Sequence, residues 1–252
     1  MKDNIDVPLI ISCAAKPQVK VSLSNIEERV HQYKKSVDDW SKSKVFQKIV
    51  IVDNTGTEIL TNSEIEQYKD NGIEIEQIMY GPEDEVFSKG ASWGQARIYE
   101  NAIKTSEHIS NTNYFATTTG RTFVPNANVL LKEFKKDPTK TYVNRWLGKG
   151  YKKFNPGRAD LRFVIWNKEF FLKNISPLTK ILDSSNDDTW IEHIYDKIFE
   201  DQNNEIYSFS SLPRVVGQAG HHGGNYDGTN FYVWAIKNFL GKITKYNKYN
   251  KE

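Results

Sequence analysis

Acidic residues cluster at the start of a predicted helix in the second half of the chain. Asp187 and Asp188 are adjacent, and Glu192 follows Asp188 by four residues, which places these two carboxylates on one helix face. A carboxylate beside a reacting hydroxyl can act as a general base. Asp187, Asp188 and Glu192 are therefore candidate catalytic residues, although the same pattern also suits simple capping of a helix N-terminus.

A glycine-rich segment, residues 217–224, holds four glycines and two histidines. Such a loop can wrap a diphosphate with its backbone N–H groups, and Gly220, His221 and His222 are the candidates for that contact. Histidine also binds divalent metal ions. Adjacent histidines point apart in extended backbone, so we do not expect both on one ion. The alternative is a mobile surface loop.

Basic residues flank another predicted helix start, at residues 89–97. A helix N-terminus binds anions through its free N–H groups and its dipole. Lys89 and Arg97 add positive charge around Trp93, so these three are candidate ligands for an anionic group. The segment is neither a Walker sequence nor G-x-G-x-x-G. An ordinary capped helix is the alternative.

Polar and small residues follow three predicted strands. Ligands of open α/β sheets bind beyond the carboxyl ends of the strands, where an aspartate can accept hydrogen bonds from a ribose and an arginine can hold a phosphate. The candidates at these ends are Ser12, Ala14, Lys16, Asp53, Thr119, Gly120 and Arg121. The alternatives are a turn-capping role for Asp53 and an ordinary strand and turn at 117–121.

The elements that position these residues read as an α/β fold. Apolar runs predict strands at 7–12, 49–52 and 73–79 and a strand that runs into a loop at 114–121, and helical spacing predicts helices at 26–40 and 93–105. The order β-α-β-β-α-β is typical of a mainly parallel, doubly wound sheet.

The second half of the chain is less regular. We expect helices at 129–134 and 189–199, the latter with Trp190, Ile194 and Ile198 on its inner face, and strands at 140–145, 161–167 and 214–217. An amphipathic helix begins near Phe231 and leads into a Lys/Tyr/Asn run.

Composition excludes several classes of protein. The 252 residues are 38% hydrophobic, enough for a full core, and the net charge of +2 argues against a dedicated nucleic-acid-binding protein. The single cysteine, Cys13, excludes an intrachain disulfide and any site with several cysteine ligands. No stretch approaches 18 apolar residues, and the N-terminus does not read as a signal peptide. We therefore expect a cytoplasmic protein.

Charge is distributed unevenly along the chain. Residues 132–173 carry twelve basic and four acidic residues, interleaved with aromatic ones, which suits an anionic ligand that contains a ring. Residues 237–252 carry five lysines and one glutamate. This tail is a candidate for contact with the inner face of the cytoplasmic membrane, with a frayed basic C-terminus as the alternative.

Together these segments resemble bacterial surface-polysaccharide glycosyltransferases of the GT-A type. They are similar in particular to small capsule and O-antigen transferases that carry Thr-Gly-Arg where other GT-A enzymes carry Asp-x-Asp. The resemblance covers about residues 7–232. It implies a GT-A-like (Rossmann-like), mainly parallel mixed sheet flanked by helices in one domain, residues 1–236. The nucleotide-sugar-binding half would be 1–125, the acceptor-side half 126–236, and the basic tail 237–252.

The resemblance also implies a reaction. A sugar would pass from a nucleoside diphosphate sugar, with a UDP-sugar favoured, to a hydroxyl of a glycan or a lipid-linked oligosaccharide, by inversion with a carboxylate base. Because Asp-x-Asp is absent, the resemblance implies no firm metal cofactor. Arg121 and Lys89 would neutralise the diphosphate. The alternative is a weakly bound Mn²⁺ or Mg²⁺ with His221 and His222 as ligands.

Two other functions fit the same sequence. A non-catalytic carbohydrate- or nucleotide-binding domain would need the same sheet but no base. A nucleotidyltransferase would need carboxylate pairs around Mg²⁺, and Asp187–Asp188 is the only well-placed pair.

Overall fold

Four parallel strands form the first half of the sheet. The computed structural model describes residues 5–19, 21–146, 158–184, 189–219, 224–245 and 248–249. Within it, β1 (Leu9–Cys13), β2 (Lys48–Asp53), β3 (Glu74–Met79) and β4 (Tyr114–Thr119) pair in the order β3-β2-β1-β4. The apolar side chains of β1 and β2 are buried on both faces, as expected for strands of a parallel sheet.

Helices connect these strands, and one of them differs from the sequence prediction. The helices are α1 (Ile26–Ser43), α2 (Asn62–Asp70), α3 (Glu85–Thr105) and the single turn α4 (Glu107–Ser110). The prediction β-α-β-β-α-β was wrong in omitting α2. A capping box starts this helix: Thr61 accepts from the backbone of Glu64, whose side chain bonds back to Thr61.

The second half extends the sheet with antiparallel and short strands. β7 pairs antiparallel with β4, and β6 and β8 continue that edge to give seven strands in the order β3-β2-β1-β4-β7-β6-β8. β5 and β9 form a separate pair. The strands are β5 (Thr122–Phe123), β6 (Thr141–Tyr142), β7 (Phe163–Asn167), β8 (Ile206–Tyr207) and β9 (Val216–Gly217). The helices are α5 (Ala127–Phe134), α6 (Lys168–Phe170), α7 (Ile191–Asp201) and α8 (Phe231–Thr244).

The inner face of α7 is not the predicted one. Ile191, Tyr195 and Phe199 are buried, whereas Ile194 and Ile198 are only partly covered. Trp190 precedes the helix with an extended backbone, and its indole N–H donates to the carbonyl of Ser184 at 3.0 Å. The helix therefore starts two residues later than predicted and presents an adjacent stripe to the core.

Two apolar clusters cover the two faces of the sheet. Leu9 and Ile11 point to one cluster, which contains Trp40, and Ile10 points to the other, which contains Trp166. This alternation fixes the register of β1 between its neighbours, because a one-residue slip would exchange the two faces.

The chain after α8 returns to the body of the molecule. The domain boundary predicted between residues 236 and 237 falls inside α8. Tyr249 is 8% exposed, its backbone N–H donates to Ser208 at 2.9 Å, and its hydroxyl donates to the buried carboxylate of Asp196.

Candidate functional site

The carboxyl ends of β1, β2 and β4 meet at one edge of the sheet. Ser12 lies opposite Val52 on one side and Thr119 on the other, and Cys13 lies opposite Asp53. The loops that follow these strands are therefore neighbours, at the edge where open α/β sheets bind ligands. This edge is the candidate site, and every candidate from the first four strands lies on it or next to it.

Asp53 shapes the loop after β1. Its carboxylate accepts from the backbone N–H groups of Ala15 at 2.8 Å, Thr55 at 2.8 Å and Thr57 at 3.0 Å, and from the Thr55 hydroxyl at 2.6 Å. The side chain has 0% exposure. Both oxygens are thus occupied by the chain itself, so the geometry favours the turn-capping alternative over direct contact with a nucleoside.

Arg29 and Tyr33, both on α1, also hold the loop after β1 in place. The Arg29 guanidinium donates to the carbonyls of Ala14 at 2.9 Å and Leu23 at 3.0 Å and to the Tyr33 hydroxyl at 2.9 Å. Burial raises the pKa of Tyr33 to about 12. Sequence reasoning missed both residues, although an arginine on the apolar stripe of α1 is a readable signal. Lys16 is exposed beyond this loop, and its backbone N–H donates to Thr55 at 3.1 Å.

Gly120 allows the turn after β4 to pack on β1. A Cβ atom there would lie 2.4 Å from the carbonyl oxygen of Ser12 and 2.6 Å from the Tyr33 ring. The hydroxyls of the neighbouring threonines bond to one another, with Thr119 and Thr122 oxygens 3.0 Å apart. Only glycine fits at position 120, so the Thr-Gly-Arg turn is fixed against the end of β1.

Arg121 is a buried cation whose hydrogen-bond acceptors are neutral. It is 7% exposed, and its guanidinium donates to the side-chain oxygen of Gln32 at 3.2 Å and to the carbonyl of Ala219 at 3.3 Å. Burial lowers the pKa of Arg121, yet an arginine remains charged. No carboxylate in the described part of the chain pairs with it. The side chain borders a cavity of about 340 Å³ between α1 and β9.

The base of the glycine-rich loop lies on Arg121. β9 pairs with β5, so Gly217 stands opposite Thr122 with a φ of 118°, and a Cβ there would lie 2.2 Å from the Arg121 carbonyl oxygen. The loop closes through Ala219 N–H to the Gly224 carbonyl at 2.9 Å. The structure thus brings together two segments that the sequence singled out separately. Gly220, His221 and His222 lie outside the described residues.

The helix entry at Lys89 is joined to the segment that precedes α7. Gly90 has a φ of 77° and interrupts α3. Ser184 donates its backbone N–H to the Lys89 carbonyl at 2.7 Å, and its hydroxyl accepts from Ser92 N–H at 2.9 Å. The Ser92 hydroxyl in turn accepts from Ile191 N–H at 3.2 Å. The two predicted helix starts are therefore one hydrogen-bonded unit.

Two of the basic candidates on α3 differ in their partners. Lys89 places its ammonium 5.4 Å from the centre of the Trp93 ring, which is 6% exposed. Arg97 also lies over that ring, but its guanidinium pairs with Glu83 and Glu100, each at 2.6 Å. Because two carboxylates already neutralise it, Arg97 is placed as a structural ion pair and not as a free cation for a ligand.

Glu192 lies among arginines and aromatic rings. Its carboxylate is 3.6 Å from the Arg158 guanidinium, and its side chain is 27% exposed. Burial raises the pKa of Tyr99 and of Tyr226, and the charge of Glu192 acts in the same direction on both. Glu192 is thus close enough to act electrostatically on Tyr99, beneath β1 and β4, and on Tyr226, after the glycine-rich loop. Asp187 and Asp188 lie outside the described residues.

An arginine–aromatic cluster continues from Glu192. Arg162 pairs with the buried Asp160 at 2.6 Å, and its guanidinium lies 3.8 Å from the centre of the Trp146 ring and 5.0 Å from that of Tyr226. Sequence reasoning noted the alternation of basic and aromatic residues here but not the Asp160–Arg162 pair. Stacked rings beside paired charges can hold a sugar or another polar ring.

Within the described ranges, no group of three or more His, Cys, Asp or Glu side chains is arranged to hold a metal ion. The predicted fallback ligands His221 and His222 are not among those residues, so a metal there stays a prediction.

In the described ranges no helix has the length and apolar character needed to cross a membrane.

The fold has counterparts among solved structures. No family model matches the sequence, and no curated protein does. The glycosyltransferase GlyE of Streptococcus pneumoniae TIGR4 superposes with a TM-score of 0.55 at 10% identity, over 96% of this chain and 52% of that chain. S. aureus TarS 1-349 in complex with UDP gives 0.51 at 10% identity, over 83% of this chain and 59% of that one.

A weaker likeness, with a TM-score of 0.44 at 9% identity, is found to a putative glucose-1-phosphate thymidylyltransferase from Bacillus anthracis. The chain spans about half of the GlyE chain and about three fifths of the TarS 1-349 chain with which it is compared above. At these identities the likeness concerns the fold. The chain has a single-domain, mixed and mostly parallel α/β fold of the GT-A, Rossmann-like type.

Proposed function

We propose that the chain transfers a sugar from a nucleoside diphosphate sugar to a hydroxyl group. The observation that carries the proposal is Arg121, a buried guanidinium without a carboxylate partner among the described residues, at the end of the central strand. Burying a charge without a counterion is costly, so an anionic ligand that completes this site would be bound strongly. A departing diphosphate is such a ligand.

The donor would lie along the carboxyl edge of the sheet. Arg121, Lys89 and the glycine-rich segment 217–224 would hold the diphosphate, and the backbone of the β1 loop, held by Asp53 and Arg29, would face the nucleoside. UDP is the nucleotide to test first, because it is bound in the TarS structure of similar fold. A hexosyl group is the sugar we expect.

The proposed step is a single displacement. The acceptor oxygen forms a bond to the anomeric carbon while the bond between that carbon and the diphosphate oxygen breaks. The acceptor proton would pass to a carboxylate, either Glu192 in the first turn of α7 or Asp188, which precedes α7 in the sequence with Asp187 adjacent, and the nucleoside diphosphate leaves with the bonding electrons. Arg121 and Lys89 would stabilise the charge that develops on it.

The acceptor is proposed to be a glycan hydroxyl of a bacterial surface polysaccharide, such as capsule or O-antigen, or of its lipid-linked precursor. The Trp146–Arg162–Tyr226 cluster beside Glu192 supports a ring-shaped acceptor at this end of the site.

The proposed reaction does not require a metal ion. Arg121 and Lys89 can neutralise the charge of the diphosphate in place of a metal ion, so we expect activity in EDTA. The alternative is Mn²⁺ or Mg²⁺ bound near His221 and His222.

The products of donor breakdown test the proposal. The protein is incubated with UDP-, GDP- and dTDP-sugars, in EDTA and in Mn²⁺, with a glycan acceptor or with water alone. We expect release of a nucleoside diphosphate from one donor class. Release of a nucleoside monophosphate would indicate attack at phosphorus, and binding without any release would indicate a non-catalytic binding domain.

A further inference from the structure

Large apolar side chains cover the outer face of α8. Six of the thirteen exposed large hydrophobic residues in the described chain lie on this helix. Tyr232, Ile236, Phe239 and Ile243 are 78%, 61%, 63% and 64% exposed. At 3.6 residues per turn these four fall within an arc of about 60°. They form one continuous apolar stripe, which we call the outer face of α8.

Polar contacts hold the opposite face of α8 against the domain. The Trp234 indole N–H donates to the Leu212 carbonyl at 3.2 Å, and the Asn238 side chain accepts from Leu212 N–H at 2.8 Å. Beyond the helix, Tyr249 is anchored on Ser208 and Asp196. The helix is thus fixed with its apolar stripe outward, the reverse of an ordinary surface helix.

The charges of α8 and the segment after it are mostly positive. Residues 231–252 contain five lysines and one acidic residue, Glu252. Lys242 flanks the outer face, at a position from which a long side chain reaches the polar boundary of a bilayer, and Lys237 lies further round the helix on the other side. A second copy that offered the same face would bring these like charges together, whereas an anionic lipid surface complements them.

We propose that α8 lies on the surface of an anionic lipid bilayer, with its outer face at the boundary of headgroups and acyl chains and its lysines at the phosphates. The inference goes beyond the transfer reaction, because it does not depend on catalysis. It moves the contact predicted for the tail 237–252 to a helix that begins at Phe231. Tyr226, beside Arg162 in the site, is five residues away along the chain.

Vesicle flotation tests the proposal. The full chain is mixed with phosphatidylcholine vesicles that contain no anionic lipid or about a third phosphatidylglycerol, and the bound fraction is measured. We expect binding to the anionic vesicles, a loss of at least tenfold in the partition coefficient for the triple variant Ile236→Gln/Phe239→Gln/Ile243→Gln, and about a fivefold loss for Lys242→Gln.

The matched control changes three exposed apolar residues elsewhere. Val129, Leu172 and Ile181 are 50%, 49% and 54% exposed, and we expect Val129→Gln/Leu172→Gln/Ile181→Gln to bind as the unchanged chain does. Circular dichroism confirms that each variant is folded. Equal binding by the outer-face variant, or no binding of the unchanged chain to anionic vesicles, would overturn the proposal.

Light scattering tests the alternative occupant of this face, which is a second copy of the chain. If the unchanged chain is a dimer that the outer-face variant converts to a monomer, and neither floats with vesicles, the face joins two copies and the lipid proposal is wrong. Nucleotide binding by the outer-face variant should equal that of the unchanged chain. Failure of the lipid proposal is thereby distinguishable from failure of the transfer proposal.

Discussion

Arg121 is the residue on which donor binding should depend most. We expect Arg121→Gln to weaken the binding of UDP by roughly 10–100-fold, because a hydrogen bond to a charged group is worth about 1.5–3 kcal/mol. Titration calorimetry measures this change. The unliganded variant should unfold at an equal or higher temperature, since it removes a buried charge without a counterion.

A second arginine provides the control for this variant. The Arg214 guanidinium donates to the Gly228 carbonyl at 2.9 Å and lies over the Phe231 ring. Arg214→Gln should leave UDP affinity within about twofold, as substitutions away from a site usually do. Equal affinities for the Arg121 and Arg214 variants would remove Arg121 from the donor site.

The carboxylates at the start of α7 should separate binding from chemistry. We expect either Asp188→Asn or Glu192→Gln to lower kcat by about 10²–10⁴, the usual effect of removing a general base, with nucleotide affinity unchanged. Initial rates of nucleoside diphosphate release measure it. If both variants keep more than about a tenth of the activity, the base lies elsewhere.

Individual residues show why site prediction from sequence is incomplete. The carboxylate at the end of β2, Asp53, was recognised, but its bond to Ala15 depends on the pairing of β1 with β2. Arg97 was expected to be a free cation. Its partner Glu100 is three residues away on the same helix, whereas Glu83 is fourteen residues back in a loop whose path the sequence does not reveal.

At the scale of elements, the turn between β4 and β5 is fixed by close packing. We expect Gly120→Ala to destabilise the fold by about 1–3 kcal/mol, because its Cβ would meet the Ser12 carbonyl and the Tyr33 ring. For a chain of this size, that lowers Tm by roughly 2–10 °C in a thermal scan.

Gly81 is the matched glycine for this test. A Cβ at that position meets nothing within 4 Å, so Gly81→Ala should change stability by no more than about 0.5 kcal/mol. An unchanged Tm for Gly120→Ala would show that the turn can move away from β1, and the tight packing that we describe would then be wrong.

Local signals explain which elements could be predicted. The apolar runs of β1, β2 and β4 and the stripe of α1 are visible in sequence, because strands buried on both faces and amphipathic helices leave clear patterns. The capping box at Thr61 also marked α2, although the acidic composition of that segment obscured it. The inner face of α7 was misjudged because Trp190, taken as its first inward residue, stands before the helix, where its indole N–H donates to the Ser184 carbonyl.

At the scale of the whole molecule, buried tyrosines should make stability fall at high pH. Burial is the main cause that raises the pKa of eight tyrosines in the described chain: Tyr33, Tyr68, Tyr80, Tyr99, Tyr142, Tyr195, Tyr226 and Tyr249. Their protons are bound more tightly in the folded state, so this contribution is complete below the unfolded pKa of about 10 and is lost as pH rises.

The loss should be about 1 kcal/mol between pH 10 and 11 for each tyrosine whose folded pKa lies well above that range. Urea unfolding at pH 9, 10 and 11 measures this loss. In Tyr33→Phe the free energy of unfolding should fall less steeply with pH, by the amount that one tyrosine contributes. A free energy of unfolding that stays constant from pH 9 to 11 would mean that these hydroxyls are not shielded as the fold implies.

The first half of the fold could be predicted from the sequence more fully than the second half. Alternating helices and strands predicted a mainly parallel α/β sheet, which the structure confirms. Strands were predicted at 140–145 and 214–217, and the structure has the two-residue strands β6 and β9 there, whereas β8 was not predicted. Strands this short carry too little periodic signal to identify their partners, so the pairing of β9 with β5, on which the meeting of Arg121 with the glycine-rich loop depends, could not be read from the sequence.

Nucleotide binding tests the central claim most directly. Thermal shift is measured with UDP, GDP, CMP, ADP and dTDP, each in EDTA and in Mn²⁺. A ligand at 100 times its Kd adds about 2.7 kcal/mol, which for this size is a shift on the order of 5–10 °C. We expect such a shift with one nucleoside diphosphate, UDP first, in EDTA. No shift with any nucleotide under either condition would contradict a nucleotide-sugar-dependent transferase.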